Sequence, residues 1–500
     1  MAHASVRIIK NAASNIIRGG STAAVSFALP HFLTRTLDLD RFAAWSLMLQ
    51  IAAYASFLDF GLQMAVTRYV AQSTELGLVE RRQKVIQTSI ALLLVAALIA
   101  LLAIIIVLAN ANFVFRGVPA GLMAEFRIAG LILGTGTAMQ LVFSAFSGTL
   151  VGLHRNELVA VATAGGRIGG AVAVVLLSRV SHSLIILASA NAVAGIIAGI
   201  VQWAAVVRLL PETRHLSFTM DRAVMGDLYR FCAGLTAWMF SMFMISGLDV
   251  TIVGHFQFAE VGYYSIAASA AALLVGLNSA VLSALLAPLA ALHARHVNDE
   301  VSRITLQVSW GNTMANGMLF VLFLLSGHRA LQLWVGPLYA TRTMGILAVL
   351  LLAQTIRLAV GPFAVMLISC GLHAKGVVSG LAEGIVNLAF SCYLVRIYGA
   401  IGVAYGTLIG SVVSLLVHIV YTFRKSHSIP LRRLDLLISA AGLPFLALLP
   451  IGVFSLLVMW GNLAMKGPGV AVLVLTTVLL IAWTWRVQRS LAQFRRRAAC

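Results

Sequence analysis

IQTSIALLLVAALIALLAIIIVL, residues 86–108, carries no charged side chain over 23 consecutive positions. Coiled as an α-helix at about 1.5 Å per residue, it measures about 35 Å, enough to cross the roughly 30 Å hydrocarbon core of a bilayer. The rest of the chain repeats this pattern. Fourteen candidate spans emerge, at 12–33, 42–66, 86–108, 127–151, 158–178, 183–206, 231–252, 259–287, 306–327, 344–369, 376–395, 400–422, 437–460 and 467–485. The first is the least apolar. The expected fold class is an all-α polytopic membrane protein.

Composition agrees. Hydrophobic residues make up 60% of the 500 and charged ones 10%, and the mean hydropathy is +0.97. A soluble domain is about half apolar and a quarter charged. The net charge of +19 does not point to nucleic acid, because its cations are spread over short loops with no aromatic-rich basic domain. Cys232, Cys370, Cys392 and Cys500 follow no metal or redox spacing, so neither a disulfide framework nor a metal site is expected. No cofactor is implied. Asn11, Asn15 and Arg18 interrupt the opening apolar run, which reads as the start of the first helix and not as a signal peptide.

Loop cations set the orientation. With the N-terminus in the cytoplasm, one set of loops and tails holds about 23 Lys and Arg, among them Arg81, Arg82, Lys84, Arg432, Arg433 and the tail arginines from Arg486 to Arg497. The opposite set holds about 8, including Arg35, Arg116 and Arg179. Cations are retained on the cytoplasmic side, so both termini are expected there. The basic tail reads as an anchor beside anionic head groups.

A repeat is visible. FAAWSLMLQIAAYASFLD (42–59) lies over VGYYSIAASAAALLVGLN (261–278) at an offset of 219 residues, matching Ser46 with Ser265 and Asp59 with Asn278. Six helices separate the two copies, so the copies share topology. Transporters of this kind hold substrate between the halves near mid-membrane. The expected organisation is an N-terminal lobe at 1–210, a C-terminal lobe at 211–425, and two further helices with a basic tail at 426–500.

NAASNIIRGGSTAAVSFALPHFLTRTLDLDRFAAWSLMLQIAAYASFLDFGLQMAVTRYVAQ (11–72) resembles the start of bacterial polysaccharide repeat-unit (O-antigen type) flippases, of the multidrug/oligosaccharidyl-lipid/polysaccharide exporter superfamily. The likeness is carried by Pro30, Arg35, Phe42, Trp45, Asp59-Phe60-Gly61-Leu62 and Arg68-Tyr69. SGTLVGLHRNELVA (147–160) and DVTIVGHFQFAEVGYYSIAAS (249–269), with Asp249, Gly262 and Tyr264, extend it to about residue 300. The resemblance implies fourteen helices, with two six-helix lobes around a central cavity and two extra C-terminal helices, working by alternating access. It implies a polyprenyl-diphosphate-linked sugar or oligosaccharide as substrate, for cell-surface polysaccharide (lipopolysaccharide-type) synthesis. It also implies polymerase and glycosyltransferase partners beside the lipid bilayer.

Such a head group needs a wet, cationic path. A charge at bilayer depth costs about 2.5–3.5 kcal/mol on the insertion scale, so an intramembrane cation faces a polar interior. Arginine stays charged and grips phosphate with a planar fork. Arg18, Arg167 and Arg357 sit inside apolar stretches and are the leading candidates for diphosphate binding, with Arg35 and Arg68 nearer the membrane faces. Each has a plainer reading: head-group snorkelling for Arg18, a helix-packing hydrogen bond for Arg167 in GGRIGG, an interfacial anchor for Arg35. Gly361-Pro362 follows Arg357 and is expected to kink its helix. Asp59 is expected either to pair with Arg18 until substrate phosphate competes, or to fix packing. Asp249 and Glu383 are candidates for coupling or ion pairing, and a solvated cap is the plain reading of Asp249.

Two relatives of the same superfamily compete as readings: a multidrug exporter and a lipid II flippase. Exporters of organic cations commonly place an acid in helix one, where this chain has Arg18. An enzyme is disfavoured, because the outer loops hold no paired carboxylates, metal cluster or nucleophile triad. No GxxxxGK[ST] phosphate loop occurs.

Overall fold

The computed structural model describes residues 2–214, 220–372, 376–423, 431–459 and 475–488, with the side chains of 2–18, 234, 238, 246, 287 and 456–459 outside that description. Helix is the only regular structure among the described residues. Twelve helices are long and apolar enough to cross a membrane. The expected span at 12–33 lies within a thirteenth, 35 residues long, and that at 467–485 partly overlaps a helix at 475–488. The all-α polytopic fold read from hydropathy is the fold observed.

Residues 1–269 make one compact unit and 270–500 a second. The first holds α1 (Ala2–Thr36), α2 (Leu39–Ala53), α3 (Leu62–Glu75), α4 (Val79–Ala109), the short α5 (Ala111–Val114), α6 (Ala120–Gly152), α7 (Asn156–Val180), α8 (Leu184–Leu209), α9 (Arg222–Met242), α10 (Asp249–Phe256) and the start of α11 (Val261–Ser283). The second continues from α11 through α12 (Leu286–Ala294), α13 (Asn298–Val335), α14 (Pro337–Ala359), α15 (Gly361–Ser369), α16 (Val377–Tyr398), α17 (Ala400–Val417), α18 (Arg433–Leu437) and α19 (Leu443–Met459). The boundary expected at residue 210 falls inside the first unit, where α9 packs on α3 and α4, and α10 on α2.

In the first unit α6 is the hub, touching α2, α3, α4 and α8. Lipid is as apolar as leucine, so close van der Waals packing, not water exclusion, holds such helices together. A Cβ on Gly148 or Gly152 of α6 would lie 2.7 and 2.8 Å from the Gln63 and Thr67 carbonyls of α3. Only glycine admits that approach, and Thr67 Oγ1 uses it to donate to the Gly148 carbonyl at 3.2 Å. Leu62, Val66, Val70, Ile86, Ile90 and Phe146 fill the space around the joint.

Three helix interruptions position the polar groups. Between α2 and α3 the chain tightens into a 3-10 segment, Tyr54–Asp59, then turns through left-handed Phe60 (φ 47°) and Gly61 (φ 82°). Between α9 and α10 a π-turn occupies Phe243–Gly247. Between α14 and α15 the cause is Pro362, which lacks the N–H that would reach the Leu358 carbonyl. In the second unit α16 and α17 form a tight antiparallel pair, and α13 packs on α14 and α19. Trp310 and Met314 of α13 meet Leu443 and Leu448, with Trp485 alongside.

Candidate functional site

The break at Pro362 gathers a cluster of polar side chains in the second unit. Its orphaned Leu358 carbonyl accepts from Asn312 Nδ2 at 2.7 Å. Asn312 Oδ1 in turn accepts from Asn278 Nδ2 at 2.6 Å. Asn278 is buried, and its Oδ1 has no partner among the described residues.

One residue before that carbonyl, Arg357 occupies the last turn of α14. Its Nε donates to Glu383 Oε1 at 2.5 Å, and its Nη1 donates to Gln354 Oε1 at 3.0 Å. The Glu383 side chain is 4% exposed and that of Arg357 19%. Nη2 is buried without a hydrogen-bond partner among the described residues. Glu383, Asn387 and Ser391 follow one another at helical spacing on α16, and Ser391 Oγ donates to Asn387 Oδ1 at 3.0 Å. The pair is held on one edge by carboxylate and amide, and a donor remains for a further acceptor. Two residues singled out separately in the sequence, Arg357 and Glu383, are thus brought together.

The other candidates lie in the first unit. Arg167 is exposed on α7, and its Nη1 donates to Thr22 Oγ1 of α1. Arg68 is exposed, its guanidinium 5.3 Å from the Phe231 ring centre and 5.7 Å from that of Tyr69. Arg35 is exposed in the last turn of α1. Arg18 lies on α1, but its side chain is outside the described residues, and so is the expected Arg18–Asp59 pairing. Asp59 receives the Gln63 amide at 3.3 and 3.4 Å and Ser144 Oγ at 3.3 Å. It thereby caps the start of α3, where the helix dipole favours an anion.

Asp249 is more enclosed than a solvated cap. It is 8% exposed and accepts from Tyr264 Oη at 3.1 Å. Beside it Gln50 Nε2 donates to the Gly247 carbonyl at 2.8 Å, and Tyr54 Oη bonds Thr251 Oγ1. Asn312 makes the interhelical hydrogen bond that is the ordinary role of an amide in an apolar helix, and Pro362 is the sequence signal for the carbonyl it meets. Tyr54 and Thr251 carried no signal, since hydroxyls in apolar helices are common.

The comparisons follow this geometry. The sequence matches the family described as "Polysaccharide biosynthesis protein" over residues 8–292. No curated protein sequence matches the chain. Among solved structures, the lipid II flippase MurJ in an inward closed conformation is similar at TM-score 0.62 and 14% identity, over 93% of this chain and 99% of that one. An inward-facing multidrug resistance MATE family transporter of the MOP superfamily is similar at 0.61 and 16%, over 81% and 95%. A MOP superfamily transporter from Pyrococcus furiosus is similar at 0.53 and 15%, over 84% and 95%. At these identities the likeness is one of fold.

Proposed function

The chain belongs to the polysaccharide biosynthesis protein family, and from that membership we propose that it flips a polyprenyl-diphosphate-linked sugar or oligosaccharide from the inner to the outer leaflet by alternating access. It does so as a carrier and not as an enzyme. Its two topological repeats are 1–210 and 211–425, a division by helix order that differs from the division by packing, followed by two helices and the basic tail of 426–500. It works in a bacterial inner membrane with both termini cytoplasmic, upstream of a polysaccharide polymerase and downstream of glycosyltransferases.

One observation carries the reading: the Arg357 guanidinium, inside an apolar helix, is paired to Glu383 and Gln354 while its Nη2 has no partner among the described residues. A permanent structural pair would be better served by a full set of acceptors, because an unmet buried donor costs about 1–3 kcal/mol. An oxygen of the diphosphate supplies the missing acceptor, and the group's two negative charges, one on each phosphorus, let it compete with Glu383 for the guanidinium. The lipid tail stays in the bilayer, so the protein has only to carry the phosphates and sugars past the hydrocarbon. The same feature disfavours an exporter of organic cations, which an arginine repels.

The test is head-group transfer in sealed liposomes containing the purified chain. Arg357→Gln is expected to slow transfer of a polyprenyl-diphosphate sugar by roughly tenfold or more, since a hydrogen bond to a charged group contributes about 1.5–3 kcal/mol. Arg357→Lys is expected to fall between. Transfer at the wild-type rate by Arg357→Gln overturns the assignment.

A further inference from the structure

Three basic residues in four, Arg81, Arg82 and Lys84, open α4. The segment from 212 to 227, which leads from α8 into α9, contains three acids, Glu212, Asp221 and Asp227. Each acid meets one cation. Arg81 Nη2 lies 3.0 Å from Asp227 Oδ2, Lys84 Nζ lies 3.3 Å from Asp221 Oδ2, and Arg82 Nη2 binds Glu212 Oε1. Gln83 Nε2 adds a bond to the Glu212 carbonyl at 3.2 Å, and Thr88 Oγ1 accepts from the Asp221 amide at 3.2 Å.

These contacts close one end of a longer antiparallel seam, in which α2–α3 runs against α9–α10. At the ionic end Tyr69 Oη donates to the Asp227 carbonyl at 3.1 Å, and its ring packs 6.4 Å from that of Phe231. Midway, Gly61 faces Leu235, and the Phe57 and Tyr54 rings lie 4.9 and 5.3 Å from Phe243. At the far end stand the neutral bonds of Gln50 to the Gly247 carbonyl and of Tyr54 to Thr251. Both helices are irregular where they face each other, at 54–61 and at 243–247. Such segments lack the regular bonding that stiffens a helix.

We propose that the basic run 81–84 is an ionic latch holding the base of α9 to the α3–α4 turn, and that the seam opens at this end by bending at the two facing helix breaks. The chemistry of the two ends differs in the way a latch requires. The Arg81–Asp227 and Lys84–Asp221 pairs, with side chains 42% and 40%, and 55% and 28% exposed, are individually weak and screened by salt. Arg82–Glu212, at 13% and 24%, is more enclosed and is screened less. The neutral bonds at the far end carry no net charge for salt to screen. Permanent joints in this unit look different: the α3–α6 contact is glycine against backbone, with no charge. The inference does not depend on which substrate is carried, so it stands or falls apart from the proposed function.

The experiment uses the full chain in nanodiscs, with spin labels at Leu76 and Tyr229, which are 61% and 74% exposed. Pulsed electron resonance reads the distance between α3's end and α9. At about 0.1 M salt, where the screening length is about 10 Å, one short-distance population is expected. Raising salt to about 1 M, where that length falls to about 3 Å, is expected to increase the long-distance population roughly fivefold. Replacing Arg81, Arg82 and Lys84 with glutamine is expected to give the same increase at low salt, with no further salt response. The exchange Arg82→Glu with Glu212→Arg is expected to keep the short distance at low salt and the salt response. A wild-type distribution that ignores salt overturns the latch, and so does a glutamine variant that matches the wild type under both conditions. The salt titration needs no variant, so misfolding cannot obscure it.

Discussion

Arg357 and Glu383 were legible one at a time, as charges in apolar helices that needed a reason. Their partnership was not. They are 26 residues apart in sequence, on α14 and α16, and nothing in the pattern of either helix shows that the two side chains meet. The pair makes a prediction that separates structure from function. Arg357→Gln leaves the Glu383 carboxylate enclosed without its cation, and breaking a buried pair costs up to about 3–5 kcal/mol. The guanidinium is one-fifth exposed, which places the expected loss toward or below the lower figure. Substituting both, Arg357→Met with Glu383→Leu, removes the uncompensated charge and is expected to recover most of the Tm in detergent. Transfer of the lipid-linked sugar is expected to stay lost. If the double variant regains transport along with stability, the arginine is a packing group only. Asp249 offers a smaller case. Tyr264→Phe removes the hydroxyl that donates to it and is expected to destabilise by about 1 kcal/mol, read as a fall in Tm.

The helices were legible and their interruptions were mostly not. Runs such as 86–108 leave no alternative to a span, and Pro362 marks the α14–α15 break in the sequence. The Tyr54–Asp59 segment holds no glycine or proline. Its irregularity goes with left-handed Phe60 and Gly61, which follow it, and the segment packs on α4 and α6. Gly61 therefore carries a prediction. Alanine there meets the left-handed penalty of roughly 1–2 kcal/mol, and its Cβ would sit 2.8 Å from Leu235 Cδ1. Gly61→Ala is expected to lower Tm, and pairing it with Leu235→Ala to recover only the part due to the clash. The start of α9 makes a pH prediction. Asp221 caps it, and the Val224 amide, Lys84 and the Ala223 amide hold its carboxyl below the usual carboxylate range. A carboxyl whose pKa falls on folding contributes fully above its unfolded value of about 3.9, and that contribution is lost as pH drops through the folded value. The Tm difference between the wild type and Asp221→Asn is thus expected to hold unchanged from pH 7 to pH 5 and to shrink only below about pH 4.

At the scale of the molecule, hydropathy disclosed a polytopic helical membrane protein before any coordinates, because a bilayer leaves a chain few choices. The matched segments at 42–59 and 261–278 both open helices in the structure, as α2 and α11. What hydropathy does not encode is how charges outside the spans pair. Arg81, Arg82 and Lys84 were counted as orientation signals, yet they engage every acid between 212 and 227. One-dimensional patterning sees the sign of a loop and not its partner across the fold. The central claim is that this chain carries a lipid through its negative link. The most direct measurement is head-group transfer in sealed liposomes for three lipids that share tail and sugar and differ only at the junction: diphosphate, monophosphate and an uncharged glycosidic link. The account predicts the fastest transfer for the diphosphate, slower transfer for the monophosphate and the protein-free rate for the neutral lipid. Equal transfer of the neutral and diphosphate lipids would contradict it.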